Sequence, residues 1–110
     1  MKRLVLLTLL FSAPAWSLSP EAQEFMAISK QLEPVQCEKR KLRREIALAE
    51  VERRDAKELR ERFARLNRDP QTARLEKRLG QLEPGLLKSG DPEDLDAISR
   101  QQREAFYRCD

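Results

Sequence analysis

Between Val35 and Leu66 the chain runs for 32 residues without a glycine or a proline, dense in Glu, Arg, Lys, Leu and Ala. Such a stretch predicts one long helix. A helix of that length spans about 48 Å at about 1.5 Å per residue. It needs a partner to cover its apolar stripe. Ile28, Val35, Leu42, Ala49, Ala56 and Phe63 recur every seven residues, with Ile46, Leu59 and Leu66 beside them. That is the seam of a coiled-coil-like helical hairpin. Ala49 and Ala56 let a partner helix approach closely. Leu48 and Val51 fall outside the seam and call for a second contact, either the N-terminal helix or a second copy of the chain.

Three helix starts share one form: Ser19-Pro20, Asp69-Pro70 and Asp91-Pro92. Each sets a capping oxygen before a proline whose missing N–H costs nothing in the first helical turn. They predict a short helix from Pro20 to about Leu32, a third from Pro70 to about Leu82 and a fourth from Pro92 to about Tyr107. Pro34 predicts a break after the first helix, although the sevenfold track crosses it unbroken and argues for a kinked, continuous one. Glu83-Pro84-Gly85 should stop the third helix. The fold class expected is all-α: a long helix in an antiparallel hairpin, a broken return limb of two shorter helices, and a short N-terminal helix.

The front of the chain reads as a leader. Lys2 and Arg3 precede an apolar run from Leu4 to Phe11 and a small-residue segment through Ala13, Ala15 and Ser17. This is the layout of a secretory signal peptide, cut after Ser17 or Ala15, and its apolar run is too short to span a bilayer. The expectation is a leader over 1–17 and one small helical domain over 18–110, with no transmembrane segment, in the periplasm or outside the cell. Without the leader, 20 Lys and Arg face 19 Asp and Glu. A near-neutral total does not support a nucleic-acid-binding surface.

Export carries Cys37 and Cys109, the only cysteines, to an oxidising compartment. The third and fourth helices laid end to end span about 20 Å plus about 24 Å, close to the length of the long helix. That would return Cys109 to Cys37, and predicts an intramolecular disulfide.

No catalytic pattern stands out. The chain has no histidine, no Cys-x-x-Cys and no glycine-rich phosphate loop, so no cofactor or metal is expected. Asp91, Glu93, Asp94 and Asp96 read as first-turn acids favoured by the helix dipole, with a weak calcium site as the sharper alternative. In size and charge the chain resembles small helical stress-response chaperones, but lacks their paired Leu-Thr-x-x-Gln segments. It also lacks the internal Val-Ala-x-x-Lys of chorismate-type mutases. A histidine-free helical enzyme of mutase type would need charged side chains pointing into the hairpin.

Two features point to binding. Lys39, Arg40, Lys41, Arg43 and Arg44 form one basic run beside Cys37, read either as a solvated helix face or as a patch for anionic head groups or an acidic partner. Leu86 and Leu87, with Leu48 and Val51, are candidate partner contacts, and Leu86 and Leu87 are expected to pack on the long helix. The expected function is non-enzymatic binding of another macromolecule, a protein or an envelope component. Binding to an envelope surface or anionic ligand through Lys39–Arg44 is the narrower version.

Overall fold

A computed structural model of the chain describes residues 17–109; the leader expected over 1–17 lies, apart from Ser17, outside the described residues. The fold is all-α, with four helices and no strand among the described residues: α1 (Pro20–Val51), α2 (Lys57–Arg68), α3 (Pro70–Ser89) and α4 (Pro92–Arg108). None of them is long and apolar enough to cross a membrane.

All three capped starts are where the sequence places them. Ser19 Oγ accepts from the Ala22 N–H at 3.1 Å, Asp69 Oδ2 from Thr72 N–H at 3.0 Å, and Asp91 Oδ1 from Glu93 N–H at 3.0 Å. The bond from Thr72 holds the Asp69 carboxyl below its usual range. That cap therefore contributes fully at neutral pH and fades as pH falls through the depressed value.

The helix limits differ from expectation at three places. Pro34 breaks nothing: α1 passes through it, merging the expected N-terminal helix with the front of the long one. Leu32 before the proline and Leu42 after it are both 1% exposed. Burial on both sides outweighs the one lost backbone bond, and Pro34 faces solvent. The same holds in α3, where buried Leu82 and Leu86 flank an exposed Pro84 and carry the helix on to Gly90, its left-handed cap at φ 63°.

The third difference is a turn inside the stretch that propensity assigned to one helix. α1 ends at Val51 and the chain reverses over 52–56. Arg53 N–H bonds to the Glu50 carbonyl at 3.2 Å and Arg54 N–H to the Ala49 carbonyl at 2.7 Å. Those two bonds make a Schellman stop, and Arg53 occupies its left-handed position at φ 58°. Glycine is the usual resident there because a Cβ is strained. Relieving a left-handed strain of about 1–2 kcal/mol, less about 0.5–1 kcal/mol for glycine's freer unfolded chain, Arg53→Gly is expected to stabilise the protein by about 0.5–1 kcal/mol, read as a raised urea midpoint with unchanged slope.

Beyond the turn, α2 comes back along α1, with Ala49 and Ala56 buried on either side of the reversal. Phe63 lies under the Arg43 guanidinium at 5.7 Å, and Arg62 reaches Glu38 at 3.1 Å. α3 continues in the same direction, so α2 and α3 form the broken return limb, interrupted at Asp69-Pro70. Lys39 pairs with Glu76 at 2.8 Å, and Glu24 with Arg78 at 2.6 Å.

α4 then turns upward and runs parallel to α1. Three contacts mark its course: Ser19 to Asp94, Met26 carbonyl to Gln101 and Glu33 to Arg108. Each pair is 75 residues apart, and successive pairs advance by seven on both helices. The two helices therefore keep one heptad register, which ends at the Cys37–Cys109 disulfide, Cα–Cα 5.4 Å. The expected bridge is present, but the route differs: Cys109 arrives on a helix rising beside α1, not at the end of a descending limb.

The main core lies below that bridge. Ala22, Phe25, Ile28, Leu32, Leu82, Leu86 and Ile98 form its buried cluster. Above the bridge α4 is absent: the first turns of α3 still reach α1 through Glu76 and Thr72, and beyond them α1 and α2 continue as a two-helix arm with a narrow seam through Leu42, Ala49 and Ala56.

Candidate functional site

The disulfide stands at a change of environment along one face of α1. Up to Cys37 this face carries α4. Continuing the same stripe in steps of three and four residues gives Arg40, Arg44, Ala47, Leu48 and Val51, with Lys41 on its edge. α2 covers the opposite side, where Leu42 and Ala49 are buried. From Cys37 to Val51 the bare stripe is about 21 Å long. It holds three cations and no acidic residue.

Its apolar members are open to solvent: Leu48 is 55% exposed and Val51 80%. At the foot of the stripe the last turn of α4 adds Phe106 and Tyr107, 54% and 76% exposed, packed edge to face at 5.7 Å between ring centroids. The Arg40 guanidinium lies over the Phe106 ring at 5.1 Å. Stacked in this way, it keeps its planar N–H edge presented rather than wandering. Arg40, Arg43, Arg44, Phe106 and Cys109 surround a recess of about 320 Å³ beside the bridge. The arrangement suits the capture of an anionic group beside apolar surface.

The basic run is thus divided by the helix. Arg40, Lys41 and Arg44 share the open stripe, and Arg43 borders it above Phe63. Lys39 is separated from them: it is 8% exposed, points toward α3 and is held by Glu76. The leucine pair is divided too. Leu86 enters the core, as expected, whereas Leu87 is 64% exposed near the far end of the molecule.

The acids at the start of α4 also separate. Asp94, 2% exposed, turns inward and accepts from Ser19 N–H at 2.9 Å and Ser19 Oγ–H at 2.6 Å; Asp96 pairs with Arg100. No group of three acids or cysteines able to hold a metal occurs among the described residues.

A second opening, about 300 Å³, lies on α1 where α3 and α4 diverge, lined by Phe25, Gln36, Arg40, Leu79, Gln101 and Phe106 among others. Gln101 bonds through Nε2 to the Met26 carbonyl, and its buried Oε1 has no partner. Sequence reasoning singled out neither Phe106 nor Tyr107 as contact residues. Their position beside the two cysteines and the arginines becomes visible only once the bridge is drawn.

Comparison with protein-family models, curated proteins and solved structures found no match.

Proposed function

We propose that the chain is exported and acts in the periplasm or outside the cell as a non-enzymatic helical protein that binds an envelope component, another macromolecule or the envelope surface itself, through the open face of α1. The observation that carries this reading is the bare stripe above the disulfide, where Leu48 and Val51 stand exposed beside Arg40, Lys41 and Arg44. A folded monomer gains nothing from leaving two aliphatic side chains uncovered in line with a stripe that another helix occupies lower down. The leader layout and the closed cysteine pair support an oxidising compartment.

The test has two readings from one preparation. Intact mass of the oxidised protein recovered from the envelope should correspond to a chain starting at Leu18 or Trp16. Either cut leaves Ser19 and its contact to Asp94 in place. The immobilised protein should then retain an envelope component, and Leu48→Asp with Val51→Asp should lower that retention about tenfold, as loss of a contact centre does, without altering the thermal melt. Retention indifferent to both substitutions would remove the stripe as the contact surface.

A further inference from the structure

Resting on that reading, we propose that the occupant of the stripe is an anionic lipid surface, with Arg40, Lys41 and Arg44 directed to head-group phosphates and Leu48, Val51, Phe106 and Tyr107 to the boundary of the acyl region.

Three features of the stripe favour lipid over protein. The first is charge of a single sign. Between Cys37 and Val51 the stripe presents cations and small or aliphatic residues, with Glu45 outside its edge, and lysine is depleted from the centres of protein contacts but favoured beside anionic lipid. The second is the kind of apolar group. Phe106 and Tyr107 form an exposed aromatic pair next to a guanidinium, and aromatic rings next to cations are the side chains that settle at a bilayer interface. The third is layout. The arm rises past the end of α4 with α2 on its far side, so the stripe can lie along a surface while the seam through Leu42 and Ala49 stays closed. The long Arg and Lys stems can extend to reach phosphates while their methylenes rest against apolar neighbours.

Each basic side chain near an anionic surface adds about 1 kcal/mol, and the attraction is screened by salt. Reversing two of them should therefore cost more than an order of magnitude in binding. No strong insertion is expected, because the turn above Val51 carries Glu52, Arg53, Arg54 and Asp55.

The experiment is vesicle flotation of the oxidised protein whose start the mass measurement has fixed. Vesicles of phosphatidylglycerol and phosphatidylethanolamine are compared with phosphatidylcholine at low and high salt. The expected result is flotation with the anionic vesicles alone, lost at high salt, and lowered at least about tenfold by Lys41→Glu with Arg44→Glu. Lys77→Glu with Lys88→Glu, the same charge change on exposed positions of α3, should leave it unchanged. Absent flotation, equal flotation with phosphatidylcholine, or equal loss from both double variants would overturn the proposal. Retention on immobilised polyglutamate without any vesicle binding would also overturn it and assign the stripe to an acidic polypeptide. If envelope retention still depends on Leu48 and Val51 while flotation fails, only the lipid assignment falls; if both fail, the stripe is not a binding surface.

Discussion

Replacing Cys37 and Cys109 by serine is expected to lower the melting temperature by about 20 °C. The bridge joins residues 72 apart in sequence. In the chain-entropy model, closing a loop of this size restricts the unfolded chain by about 4 kcal/mol. The core that would have to stand without it is small, seven buried side chains between α1, α3 and α4. A domain of this size shifts by about 4–8 °C for each kcal/mol, which gives the stated drop. The loss should also be uneven. α4 is pinned at its top by the bridge and at its base by Asp94, whereas α1 and α2 meet through a local turn that the bridge does not touch. Amide exchange in the reduced protein should therefore rise first in the last turns of α4, and α2 should change least. A double serine variant melting within a few degrees of the parent would show that α4 is held by packing alone.

Asp94→Ala is expected to cost about 2–3 kcal/mol, a large effect for a residue that looks like one of four equivalent acids in the sequence. Its carboxylate is 2% exposed and receives both Ser19 N–H and Ser19 Oγ–H. Hydrogen bonds to a charged group contribute about 1.5–3 kcal/mol, and the alanine variant would leave the Ser19 amide without its partner. The bonds also tie the start of α4 to the start of α1, the first rung of their heptad register. Asp91→Ala loses a local cap at an exposed terminus and should cost only about 1 kcal/mol. Urea unfolding of the two variants side by side provides the comparison. Equal losses would mean that Asp94 acts only as a first-turn acid.

What the sequence made legible was local. Ser19, Asp69 and Asp91 cap helices because the chemistry of a cap involves a residue and the next turn, so the three starts could be placed without knowing the fold. The stops were less readable. Pro34 and Pro84 look like breaks, yet each lies on a solvent face between buried leucines, and tertiary burial decides against the local preference. The stop at Val51 had no glycine or proline to announce it, because Arg53 takes the left-handed position. The cysteine pair could be assigned from length and the expected compartment, but not the direction from which Cys109 arrives.

The site was half legible for the same reason. A run of basic residues is visible in any helix, but which of them share a face with exposed apolar groups depends on where neighbouring helices end. Lys39 leaves the patch because Glu76 lies across from it on α3. Phe106 and Tyr107 join it because the bridge sets the end of α4 beside Arg40. Asp94 was hidden among its neighbours because its partner, Ser19, lies 75 residues away.

The claim that the stripe above the disulfide is the working surface is tested most directly by a photo-reactive side chain at residue 48, with residue 77 on α3 as the control. Irradiation in the intact envelope should give an adduct from position 48, absent from position 77 and reduced when Lys41→Glu and Arg44→Glu are added. Adduct yields equal at the two positions, or none at position 48, would contradict the account.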